Sequence, residues 1–484
     1  MSRQLVKNVL FVLFVNLLIK AVWIFLIDRN VQIRTGYEQY GSYQAFFNLG
    51  LIFQILLDFG LTQYSSKKIA AHHTRIRYLF SSMLWLRMIL GVVYLVTVFA
   101  FAWMLGYRQA QLYLLSGVLV IQLLNSMLVF VRSNIAALQY FKTDGVLAVV
   151  DRLLMILVCG SLLVLPQVAG GFRIEWFVWT QIGSYFVALL VAFIVLIRIA
   201  PSKIHFYFRP GLFRSVARES MPYALLVLLM SVYMRSDTVM IERLCGAQGK
   251  YQAGLYASAF RLLDVCNIFG LMFAGVLLPV FSGMIARKEA VAPLLRLAVN
   301  IMMPVAFTAS VIASFWNADI MNMLYHKGMH AGDGMLFAVL MWAFPPYCLM
   351  YIYSTLLTAN GSTRQLNAIS AFIVVLNLSL HYLLIRHFLA LGAAWTVLIT
   401  EWLVAACVII AAHRTFALPH NLRWIATHLL FLGTLAALAA VVRQFIPQSL
   451  LAIAVTLVFS VLLLFVFRFW TISSLKALMS RRDA

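Results

Sequence analysis

Apolar runs of membrane-spanning length constrain this chain more than any other feature. Segments 176–197 and 449–466 contain no Asp, Glu, Lys or Arg at all. A hydrocarbon core about 30 Å thick takes about 20 helical residues to cross, whereas barrel strands are about 10 residues long and alternate in polarity. Inside lipid no water satisfies the backbone N–H and C=O groups, so such a run must be helix. Runs of this kind fall at approximately 8–27, 40–61, 79–104, 112–131, 147–166, 176–197, 221–241, 254–278, 295–316, 335–358, 366–386, 390–412, 424–442 and 449–467. The sequence predicts an all-α polytopic membrane protein of about 14 transmembrane helices. The boundary between the eleventh and twelfth is expected near Arg386–His387.

Composition excludes the other classes. Of 484 residues, 64% are hydrophobic and 11% charged, against roughly 25% charged in soluble domains. Too few charges are present to cover soluble domains of this total size. Five scattered cysteines form neither a CxxC nor a Cys/His cluster, so they read as small packing residues, and no metal site is expected. The first run, Val9–Ile27, is too long for a signal peptide and lacks a small-residue cleavage site, so it is expected to remain as the first span.

The net charge of +22 points to membrane orientation rather than to nucleic acid. With the N-terminus placed in the cytoplasm, twenty-three Lys and Arg fall in cytoplasmic segments and nine on the opposite side. That bias puts both termini in the cytoplasm. Ten ionisable residues remain within the spans: Lys20, Arg87, Arg152, Arg235, Arg261, Asp58, Asp151, Asp237, Asp264 and Glu401. Each costs several kcal/mol in lipid unless it is paired or faces water.

A shift of 213 aligns Gly41 with Gly254, Tyr43 with Tyr256, Phe47 with Phe260 and Leu49 with Leu262, at equivalent places in the second and eighth spans. Six spans per repeat is an even number, so both copies share one orientation. The expected organisation is an N-lobe over 1–200 (helices 1–6) and a cytoplasmic inter-lobe loop over 201–218. A C-lobe follows over 219–412 (helices 7–12), then helices 13–14 with a cytoplasmic tail over 413–484. Two six-helix lobes around a central cavity, plus two extra helices, suit a secondary transporter.

The runs Gly36-Tyr-Glu-Gln-Tyr-Gly41 and Leu57-Asp-Phe-Gly60 resemble the N-terminal signature of bacterial oligosaccharide flippases (Wzx type, polysaccharide transporter family). Pro222, Asp237 and Gly254-x-Tyr256-x-x-Ala259-x-Arg261 resemble the seventh and eighth helices of the same family, within the superfamily of multidrug, oligosaccharidyl-lipid and polysaccharide exporters. The resemblance implies flipping of undecaprenyl-diphosphate-linked oligosaccharide from the cytoplasmic to the periplasmic leaflet of the bacterial inner membrane. That would serve O-antigen, capsule or exopolysaccharide synthesis, alongside other polysaccharide-assembly membrane proteins. A peptidoglycan lipid flippase, a multidrug exporter and a membrane-embedded polymerase are the alternatives.

Such a substrate is a large anion, and cationic side chains facing a cavity could neutralise it, Arg best through its two-pronged fork. Lys20, Arg87, Arg235 and Arg261 are therefore the candidate lining of the diphosphate and glycan cavity, with helix-holding salt bridges as the competing role. Asp58, Asp237, Asp264 and Glu401 are candidates for a coupling proton or sodium ion, since a carboxyl in apolar surroundings can titrate near neutrality. No GxxxxGK[ST], HExxH or GxSxG motif occurs, so neither nucleotide hydrolysis, a cofactor nor a catalytic residue is expected.

Overall fold

A computed structural model of the chain describes residues 19, 22–165, 171–201, 210–325, 333–419 and 421–469. Among them every regular element is helical. The chain divides into two compact units, Met1–Gly254 and Leu255–Ala484.

In the first unit a π-helical turn at Trp23–Asp28 leads into α1 (Arg29–Ile52). Then come a single turn at Ile55–Asp58, α2 (Leu61–Ala71), α3 (Ile76–Met104), α4 (Gln109–Ala137), α5 (Phe141–Val164), α6 (Ile174–Ile199) and α7 (Pro210–Leu244). Small residues on α6, Ala188 and Ala192, are fully buried and let this helix approach α4. The Phe80 and Phe130 rings stack at 5.3 Å between α3 and α4. Partway along, α1 breaks at Gly36, whose φ of 79° a side chain would resist. The break separates the first span from the second.

The second span differs from its expected extent of 40–61. It begins after Gly36, bends by 48° and runs on to Ala71. The hydropathy run ends near Leu61 because Thr62, Gln63, Ser65, Ser66, Lys67 and Lys68 follow. The helix continues because Leu61, Ser65 and Ile69 bury a single face at intervals of four. The bend lies at the break of Phe53 and Gln54, and a second irregularity follows at Phe59 and Gly60, both left-handed, with φ of 45° and 80°.

The second unit holds the rest of α8 (Gly249–Ala286), α9 (Ala292–Phe315), α10 (Asn317–Leu324), α11 (Asp333–Met341) and α12 (Phe344–Ala359). After these run α13 (Thr363–Phe416), α14 (Leu422–Phe445) and α15 (Ser449–Val466). Its core is α9 with α11 and α12, whose spans are 67% and 72% buried, against 22% for α15. The 54-residue α13 breaks at Leu389 (φ 54°, ψ −137°), so the eleventh and twelfth spans part three residues beyond Arg386. Close packing fixes the corner: a Cβ on Gly392 would overlap the Leu384 carbonyl. The added α14 is tied to α9 by Trp424 Nε1 donating to Asn300 Oδ1 at 2.7 Å, and by Arg443 donating to the Phe315 carbonyl.

Candidate functional site

Beside the bend in the second span lies a cavity of about 750 Å³ within the first unit, lined by both polar and apolar side chains. Asp58, the last residue before the left-handed pair Phe59–Gly60, accepts a hydrogen bond from the Thr62 backbone N–H at 3.1 Å and so caps α2. Arg87 reaches it from α3 and forms an ion pair with the same carboxylate. Arg87 also donates to the Ser126 carbonyl at 3.0 Å and the Ser126 hydroxyl at 2.9 Å, and its guanidinium lies 4.5 Å from the Phe130 ring centroid. Only 1% of Arg87 is exposed, whereas 31% of the Asp58 side chain faces the cavity. One substrate-binding candidate and one coupling candidate are thus a single, mutually neutralised pair.

Farther along the first unit, α7 packs on α1, with Asn48 Nδ2 donating to Thr238 Oγ1 at 3.0 Å. Asp237 is buried beside this contact and Arg235 is half-buried. Near the start of the second span, Gly41 and Gly254 face each other. A Cβ on Gly41 would overlap the Lys250 carbonyl, and one on Gly254 would overlap the Tyr37 carbonyl. The two glycines aligned by the internal repeat therefore meet in a reciprocal backbone contact. Gln32 Nε2 donates to the Gly254 carbonyl at 2.9 Å, and Tyr37 packs edge-on against Tyr251 at 5.4 Å. Nearby, the Tyr107 hydroxyl donates to Glu242 Oε2 at 2.7 Å, while Arg243 pairs with Glu242 at 3.1 Å and lies over the Tyr107 ring. Burial, and then the charge of Glu242, raise the Tyr107 phenol above its ordinary pKa, so it stays a donor.

In the second unit, Arg261 on α8 lies within electrostatic reach of Asp264 and Tyr325. Asp264 and Glu401 both act on Tyr351 of α12. Glu401 is buried, whereas Asp264 is exposed. A polar layer runs beside Glu401 between the two halves of α13: Asn377 Nδ2 donates to Thr400 Oγ1 at 3.3 Å, and His381 and Thr396 are fully buried. Asp264 thus lies within electrostatic reach of both Arg261 and Tyr351, and Glu401 within reach of Tyr351. Lys20 lies outside the described residues.

Sequence reasoning passed over several buried polar groups. Asp28 accepts from Tyr40 Oη at 3.0 and 3.1 Å and is 3% exposed. Gln122 accepts from Tyr94 Oη at 2.7 Å and donates to the Phe47 carbonyl at 2.7 Å. Asp28 and Glu242 sit at the ends of apolar runs, where a charge reads as loop. The usable signal was an acid with a tyrosine on an adjoining segment.

A family model described as polysaccharide biosynthesis protein matches residues 5–285. No curated protein matches the chain by sequence. Among solved structures, the lipid II flippase MurJ in an inward closed conformation superposes with a TM-score of 0.71 at 11% identity, covering 96% of this chain and 98% of that one. An inward-facing multidrug resistance MATE family transporter of the MOP superfamily gives 0.65 at 13% identity, covering 81% of this chain and 94% of its own. A MOP superfamily transporter from Pyrococcus furiosus gives 0.55 at 16%, with 83% and 94% covered. At these identities the likeness is one of fold: a multi-pass, all-helical transporter architecture.

Proposed function

Given that the chain belongs to the polysaccharide biosynthesis protein family, we propose that it is a secondary transporter that flips undecaprenyl-diphosphate-linked oligosaccharide across the bacterial inner membrane by alternating access. The observation that carries this reading is the family match laid on a transporter fold. A polysaccharide-synthesis protein built almost wholly of membrane helix is suited to moving a polymer precursor rather than assembling one. In this reading both termini are cytoplasmic, and the product crosses to the periplasmic leaflet for surface polysaccharide assembly.

Arg261 and Arg235, with Lys20, supply compensating charge for the diphosphate, since a guanidinium offers an oxyanion two parallel donors. In this reading Asp264, Glu401 and Asp237 are the carboxylates that couple transport to a proton or sodium gradient. Asp58 is already committed to Arg87 and to the α2 cap.

Likeness in fold to a lipid II flippase favours a second reading, in which the lipid-linked cargo is a peptidoglycan precursor. Deleting the gene in its host separates the two. Accumulation of undecaprenyl-linked oligosaccharide inside the cell, with normal peptidoglycan, is expected. Accumulation of lipid II with cell lysis would favour the second reading, and accumulation of neither would remove both.

A further inference from the structure

The cavity at the bend of the second span has a lining unlike a diphosphate site. Its two deepest charges, Asp58 and Arg87, close on each other, and its remaining cation, Lys67, is exposed. Between them lie Gln54, Thr62, Gln63, Tyr64, Ser126 and Ser231. We infer that this cavity is the subsite for the uncharged, hydroxyl-rich part of the substrate, that is, one or more sugar residues, while the diphosphate is held elsewhere. The inference rests on the flippase reading above.

Several independent observations converge on it. Irregular backbone at membrane depth is tolerated where it lines a water-filled space, and the consecutive left-handed residues Phe59 and Gly60 form one wall. A bulky residue held at φ 45° carries strain of the kind that persists at ligand sites. The side chains of Gln54, Gln63 and Ser231 make no hydrogen bond among the described residues, so two amides and a hydroxyl stand available to a ligand. The rings of Phe59 and Tyr64 offer flat apolar surface to the C–H face of a sugar. The volume of about 750 Å³ lies in the usual range for small-molecule pockets.

A phosphate, by contrast, would have to displace Asp58 to use Arg87. That would strand a carboxylate at membrane depth and remove the cap of α2. Hydroxyl groups bind around the ion pair without breaking it. The geometry therefore discriminates between the two ends of the same substrate.

The test uses the full chain in phospholipid nanodiscs. The two probes are undecaprenyl diphosphate alone and undecaprenyl diphosphate carrying N-acetylglucosamine, each titrated against the wild type and Gln54→Ala/Gln63→Ala. Loss of two amide contacts should weaken the sugar-bearing lipid by about tenfold or more while leaving the sugar-free lipid unchanged. Equal weakening of both lipids would place phosphate in the cavity or signal a damaged fold, and would overturn the inference, as would unchanged affinity for both. A wild-type protein that binds neither lipid would overturn the flippase reading itself, and this inference with it.

Discussion

Arg87 and Asp58 show what a sequence can and cannot say about a buried charge. Both stand out as ionisable residues in apolar runs, but they are 29 positions apart, and nothing in helical periodicity links one span to the next. Their pairing makes a definite prediction. Asp58→Ala leaves a guanidinium 1% exposed without its counter-charge and should cost about 3 kcal/mol, the lower end for a buried pair because the cavity wets Asp58. Thermal unfolding in detergent should show the loss, and Asp58→Ala/Arg87→Ala should recover most of it. Failure of the double variant to recover would mean that the α2 cap, not the pair, dominates. Tyr107 gives a pH test. Its phenol is raised above the ordinary value of about 10 by burial and by Glu242. The folded chain therefore keeps a proton that the unfolded chain releases, and stability falls as pH rises past about 10, by up to about 1.4 kcal/mol per pH unit. Tyr107→Phe should be less sensitive to alkali than the wild type in paired melts between neutral and strongly alkaline pH. Equal sensitivity would remove Tyr107 as a source of that dependence.

At the scale of elements, hydropathy located the spans but not their ends or breaks. The α2 segment carries too many polar side chains to register as apolar, yet its buried stripe extends the second span to Ala71. The break at Leu389 falls close to the boundary expected near Arg386–His387, but three residues past the charge that marked it, because no Gly or Pro stands at the break itself. Glycine was legible where it recurred. The shift of 213 that aligned Gly41 with Gly254 also identified two residues that meet backbone to backbone. A Cβ at either position would force the helix starts apart. Cysteines at Tyr37 and Tyr251, whose rings pack edge-on, should be joined by a short bifunctional thiol reagent in a background lacking the native cysteines. Adding Gly41→Val or Gly254→Val should sharply reduce that cross-linking. Undiminished cross-linking would show that the helices do not need the glycine contact to approach.

For the whole molecule, composition and run length were enough to read a polytopic all-helical membrane protein, because lipid leaves the backbone so few options. Two residues with opposite proposed roles, Arg261 and Glu401, were legible only as isolated charges. The partners they find, Asp264 and Tyr325 for Arg261 and Tyr351 for Glu401, depend on packing that hydropathy does not register. Arg261 on α8 is the residue on which the transport proposal leans most heavily. The most direct test of that proposal is a flipping assay in proteoliposomes containing the full chain, a fluorescent undecaprenyl-diphosphate-linked oligosaccharide and a membrane-impermeant quencher. In protein-free vesicles about half the lipid is shielded in the inner leaflet. Wild-type protein should render nearly all of it quenchable, Arg261→Lys part of the remainder, and Arg261→Ala little more than empty vesicles do. Protection equal to that of empty vesicles in the presence of folded wild-type protein, with or without a proton or sodium gradient, would contradict the account.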